Sequence, residues 1–162
     1  MEKINVSTIK HPNTFTLVDN ENYEYLSQWK WKVDDNGYVS RRKMINYKST
    51  KTYMHRTIMD CPKGMCIDHI NFNPSDNRKS NLRVCTNSEN NIHKSKHNNK
   101  NTSKYKGVHK IPNPSKPWKA QIKFKYKGIH LGNFKTKEGA AKMYNCAASI
   151  LFGQFAYLNK GV

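Results

Sequence analysis

Acidic residues are scarce in this chain of 162 residues: 11 Asp and Glu stand against 29 Lys and Arg. From Asn90 to Lys137 there are thirteen Lys and no acid at all. The formal net charge of +18 and a pI near 9.8 point to a polyanionic partner, because neutralised phosphates release condensed counterions. A merely solvated basic surface is the plainer alternative. Six of the eleven acids precede residue 36, so the anchoring charge lies in the C-terminal half. Long apolar runs are also missing. Ala147 to Phe152 is far too short to cross a bilayer, and MEKINVSTIK carries no apolar leader core, so a soluble, cytoplasmic protein without a membrane partner is expected. The four cysteines, Cys61, Cys66, Cys85 and Cys146, form no CxxC pair, which leaves a zinc knuckle or disulfide framework unsupported. They read as small hydrophobes in a reducing compartment. A hydrophobic share of 36% suits two small modules better than one large core.

The first half reads as β-rich. Thr14 to Val18 is a short strand, Asp19 or Asn20 caps a brief helix through Gln28, and Trp29, Trp31 and Val33 alternate with lysines. Asp34-Asp35-Asn36-Gly37 supplies a turn, so a hairpin returns through Tyr38 to Arg42. Cys66 to Ile70 is a strand, Asn71 to Ser80 a loop rich in Asn, Pro, Asp and Ser, and Leu82 to Cys85 the returning strand. Thr86-Asn87-Ser88-Glu89 matches a capping box and starts a helix running into the Lys94 to His97 region. Polar residues 98–102 read as a linker. Beyond it, Tyr105 to Lys110 and the stretch from Trp118 are strands, the second with Ala120, Ile122 and Phe124 alternating against Lys119, Gln121, Lys123 and Lys125. Ile129 to Phe134 is a third strand. Thr136 caps a helix with Ala140, Tyr144, Ala147, Ala148 and Leu151 on one face and Gly153 as its stop. The fold class is α+β: a β-rich segment (1–52), a strand–loop–strand–helix core (53–97), a linker (98–102) and a three-stranded sheet with one helix (103–162).

One constellation carries chemistry. Asp68 at a strand end and Asn90 in the first helical turn offer hard oxygen atoms to one divalent ion, Mg²⁺ or else Mn²⁺, with water completing the shell. His69 is placed to deprotonate a water for attack on phosphorus. Asn81 is expected to hold the loop and His69 by hydrogen bonds. His93 reads as an exposed basic residue of the helix, with a third-ligand role as the alternative, and His55 as structural.

The segment IDHINFNPSDNRKSNLRVCTNSENN resembles the VDHINxN…DNRxxNLRxxT…N pattern of phage and intron-encoded HNH (ββα-metal) homing endonucleases, over roughly Tyr53 to His97. The resemblance implies that Asp68 and Asn90 bind the metal, that His69 is the general base and that Asn81 is structural. Phe72 stands where such proteins often have Gly. Residues 103–159 resemble the AP2 DNA-binding domain, whose sheet lies in the major groove. That implies that Lys106, His109, Gln121, Lys123 and His130 face bases or phosphates, with Lys119 and Lys125 on the same basic side. Arg78 and Arg83 are counted with them as DNA contacts. Lys and His replace the Arg and Trp of plant members, which implies looser sequence specificity.

The expected activity is cleavage of double-stranded DNA by a monomer needing no small-molecule cofactor. A DNA-binding protein or repressor that does not cut is the alternative, and RNA binding is disfavoured by the major-groove sheet pattern.

Overall fold

The computed structural model describes residues 1–45, 47–94 and 103–162. The chain divides into two compact units, Met1–Asn87 and Ser88–Val162.

In the first unit, β1 (Glu2–Asn5) pairs antiparallel with β2 (Phe15–Val18), and α1 (Asn20–Ser27) follows at once. Asp19 precedes that helix but makes no side-chain cap to it. Its carboxylate instead accepts from the Lys79 amide at 2.7 Å, at the start of a short 3-10 turn (Lys79–Asn81). A three-stranded antiparallel sheet is built from β3 (Lys32–Val33), β4 (Val39–Ile45) and β5 (Lys48–Tyr53). Gly37, at φ +81°, makes the turn between β3 and β4 possible. α2 (Met54–Met59) leads to the β6 (Cys66–His69) and β7 (Leu82–Cys85) hairpin. Val6, Val18, Leu26, Trp31, Val39 and Met54 form the fully buried part of the core, with the Trp31 indole N–H satisfied by the Leu26 carbonyl at 2.9 Å.

α3 (Asn87–His93) starts directly after Thr86, where the capping box places it; the expected continuation at 95–97 and the linker at 98–102 lie outside the described residues. In the second unit β8 (Val108–Lys110), β9 (Trp118–Phe124) and β10 (Lys127–Phe134) form an antiparallel sheet in the order β10-β9-β8. α4 (Lys137–Phe152) lies against it. Thr136 caps α4 by accepting from the Gly139 amide at 3.1 Å, and Gly153, at φ +51°, ends it. Ala120 and Ile122 of β9 are buried with Ala140, Ala141, Tyr144 and Ala148 of α4, whose small alanines let helix and sheet approach closely. The β9–β10 turn falls at Lys125 and Tyr126, both with positive φ. Lys125 is therefore a turn residue and not the next step of the basic strand face, a correction to the alternation read through Lys125.

No helix among the described residues is long and apolar enough to cross a membrane. All four cysteines are free thiols; Cys85 is buried, but Cys146 is exposed and so is not the small core residue expected.

Candidate functional site

β6 ends at His69, and the antiparallel register sets Asp68 opposite Arg83 and His69 opposite Leu82. Cross-strand partners share a face of a sheet. The Arg83 guanidinium accordingly donates twice to Oδ2 of Asp68, at 2.8 and 2.6 Å, in a pair of which both side chains are about nine-tenths buried. Arg83 is thus engaged with Asp68 across the hairpin.

His69 is buried, and its orientation follows from a chain of hydrogen bonds. The Thr16 hydroxyl donates to the Ser75 carbonyl at 2.8 Å, so its oxygen accepts from Nδ2 of Asn77, also at 2.8 Å. With Nδ2 so committed, Oδ1 of Asn77 faces Nε2 of His69 at 3.3 Å. Nε2 then carries the proton, and Nδ1 keeps the lone pair. Burial pushes the His69 pKa below the ordinary histidine value, against a smaller upward pull from the Asn77 hydrogen bond. The result is a fixed, neutral imidazole with one defined basic nitrogen beside a carboxylate.

The bond from Asn81 to His69 that the sequence suggests is not made; Asn77 holds His69. Asn81 secures the loop instead. Its Oδ1 accepts from the Asn71 amide at 2.9 Å, its Nδ2 donates to the Asp76 carbonyl at 2.8 Å, and its own carbonyl accepts from the Ile70 amide at 2.9 Å. Asp76 adds a second clamp, taking a two-pronged bond from Arg78 at 2.7 and 2.6 Å and one from Asn71 at 2.8 Å. The Arg78 guanidinium holds the Asp76 carboxyl below the usual carboxylate range. Arg78 thus braces the loop. Phe72 sits at φ +64°, a conformation that suits the Gly of the resembling proteins.

Behind His69 stand three rings. His55 crosses it edge-on with centroids 5.3 Å apart, Tyr38 lies at 5.9 Å, and Tyr53 stacks on His55 at 5.4 Å. His55 is buried, its Nδ1 has no hydrogen-bond partner, and burial lowers its pKa to about 4.

Among the described residues no group of three or more His, Cys, Asp or Glu is placed to hold a metal, so a thiolate–imidazole zinc site is not offered. The carboxylate of Asp68 and an amide such as that of Asn90 are hard oxygen donors, and that chemistry fits an ion that retains waters, such as Mg²⁺. Asn90 lies in α3, in the second unit. His93, in the last turn of α3, is buried, which corrects the reading of it as an exposed basic residue.

In the second unit, register gathers several of the expected residues on the sheet face turned away from α4. His109 pairs with Lys119, which also pairs with Asn133; Gln121 pairs with His130, and Lys123 with Gly128. His109, Lys123 and His130 are exposed. Lys106 departs from this group: its ammonium donates to the Ile92 and Lys94 carbonyls at 2.5 and 2.8 Å. It therefore caps the C-terminal end of α3.

A hairpin with an acid and a neutral histidine at its strand end, closed by an asparagine-braced loop and followed by a helix, is the frame of an HNH-type nuclease module. The HNH endonuclease family matches residues 60–92. An uncharacterized HNH endonuclease of Acanthamoeba polyphaga mimivirus is 33% identical over 153 residues, covering 91% of this chain and 75% of that protein. The chain belongs to the HNH endonuclease family.

Proposed function

We propose that the protein is a homing-type endonuclease that hydrolyses phosphodiester bonds of double-stranded DNA, with His69 as general base and the second unit, AP2-like in its three strands and one helix, as the targeting module. The observation that carries this reading is the Thr16–Asn77–His69 chain of hydrogen bonds, which leaves a neutral imidazole with Nδ1 as proton acceptor at neutral pH. Asp68 and Asn90 are the residues that would hold one divalent ion, Mg²⁺ in the first place and Mn²⁺ as a substitute. Once bound, such an ion stabilises charge on the departing oxygen. His69 takes the proton of the attacking water, and the asparagine-braced loop fixes the imidazole for that transfer. His109, Lys119, Gln121, Lys123 and His130 supply phosphate and groove contacts from the second unit.

A protein that binds DNA without cutting is the second reading, favoured by one observation: Arg83 already donates twice to Asp68 Oδ2. Incubating supercoiled and linear DNA with the purified chain separates the two, with Mg²⁺, with chelator, and with His69→Ala alongside. Cleavage that needs the ion and falls by at least about 10²-fold in His69→Ala, at unchanged DNA affinity, supports the nuclease. Tight, salt-sensitive binding with no cutting on any substrate favours the second reading.

A further inference from the structure

Among the described residues of the first unit, the outer part of the β4–β5 ribbon is exposed on both faces. Val39 and Ser40 anchor its base by burial, but residues 42–44 and 47–51 are all exposed, with Met44 at 65% and Tyr47 at 100% near the tip. Isolated two-stranded ribbons are marginal in water, and sheets ordinarily bury one face. From Val39 to Tyr53 there are five cations, Arg41, Arg42, Lys43, Lys48 and Lys51, and no acid.

Their distribution is two-sided. Arg42 lies opposite Lys51 in the register and Lys43 opposite Thr50. Successive residues point to opposite faces, so Arg42 and Lys51 share one face and Lys43 the other; Lys48, two residues from Thr50, joins Lys43. Like charges directly opposite each other, as Arg42 and Lys51 are, destabilise a ribbon unless something neutralises them. Asp34 takes up Lys51 at 2.6 Å, while Arg42, Lys43 and Lys48 make no ion pair among the described residues. Arg41 is set apart from the group, its guanidinium 3.9 Å above the Trp29 ring at the ribbon's base.

We infer that this ribbon is a DNA-binding arm of the nuclease unit that enters the major groove of the duplex, Arg42 meeting the phosphates on one wall and Lys43 and Lys48 those on the other. A flat electrostatic platform needs cations on one face only; exposed cations on both faces of a ribbon fit between two phosphate walls. The major groove, about 12 Å wide, admits a two-stranded β-ribbon. For its partner, duplex DNA, the inference rests on the nuclease reading above.

The test measures affinity for a duplex against salt concentration, together with Mg²⁺-dependent cleavage and dimethyl sulfate methylation of guanine N7, which lies in the major groove. Full-length Arg42→Ala, the pair Lys43→Ala and Lys48→Ala, and the charge-preserving set Arg42→Lys, Lys43→Arg and Lys48→Arg are compared with the parent chain. Each lost phosphate contact lowers the slope of log K on log salt by about 0.9, so Arg42→Ala is expected to lower it by about 1 and the Lys pair by about 2. Guanines shielded in the parent complex become methylated in the Ala variants, and the charge-preserving set keeps the parent slope. A slope that changes for one face alone, or for neither, overturns the inference and leaves the nuclease reading standing if the parent still cuts. Slope losses on both faces with a parent that does not cut uphold the arm and sink the nuclease reading. A parent that binds no duplex overturns both.

Discussion

At His69 the basic nitrogen is chosen by Asn77 and, through it, by the distant Thr16, and not by the Asp68-His69 dipeptide. Thr16 fixes Asn77, Asn77 fixes the ring, and neither has a local pattern that announces a partner about sixty residues away. That is why sequence reasoning gave the orienting role to Asn81, which stands at the motif's own spacing. The strand positions of Asp68 and His69 were legible because alternation and the motif both mark that segment. The ion pairs that engage Arg78 and Arg83 were not, since a basic residue within a basic protein looks like a ligand contact until its acid is seen.

His55 carries a pH prediction at the same scale. Its pKa is about 4 in the fold against 6.5 without it, so the unfolded chain binds a proton across this window and the folded chain does not. Stability is complete above pH 6.5 and falls as pH drops toward 4, by about 1.4 kcal/mol per unit and roughly 3 kcal/mol in all. His69, shifted the same way, adds to the loss. Urea titrations of the parent and of His55→Phe between pH 7 and 4 check this: the parent is expected to lose stability steeply and the variant less so. Equal slopes would remove His55 as a cause.

Among elements, those with their own periodicity were readable: β6, β7, β9, and α4 with its Thr136 cap and Gly153 stop. β5, KSTKTY, offers no apolar alternation and exists through its ladder with β4; β1 is similarly short and polar; and α2, at six residues, is too short to show a helical period. Gly107 shows how tightly β8, β9 and α4 meet. At φ +74°, an added Cβ would stand 2.1 Å from the Tyr144 ring and 2.6 Å from the Gln121 carbonyl. Gly107→Ala is expected to cost at least about 3 kcal/mol in this unit. Hydrogen exchange should quicken at the β9 amides while β6 and β7 keep their protection. Unchanged protection in β9 would mean that the packing gives way cheaply.

For the whole molecule, charge was the most legible property and its deployment the least. The excess of +18 draws attention to the basic second half, yet Lys106 there is engaged with backbone carbonyls. Lys119 and Lys123, which register places on the open sheet face, are better candidates for phosphate contacts. Lys119→Ala and Lys123→Ala should each lower the salt slope of DNA binding by about one, with kcat at saturating DNA unchanged. A fall in kcat at an unchanged slope would place them in the chemistry and not in the grip.

The hydrogen bonds that tie β2 to the site loop also set an order of events. Leu17 donates to the Ser75 carbonyl and accepts from the Asn77 amide, each at 2.9 Å, so the cradle of His69 is completed by a strand made some sixty residues earlier. Contacts of such long range form late, because the loop they close loses entropy before it gains contacts. A chain growing on the ribosome therefore has its His69 imidazole unaimed until the first strands have waited for β6 and β7 to emerge, and a nascent fragment ending before β7 cannot assemble the proposed cutting site.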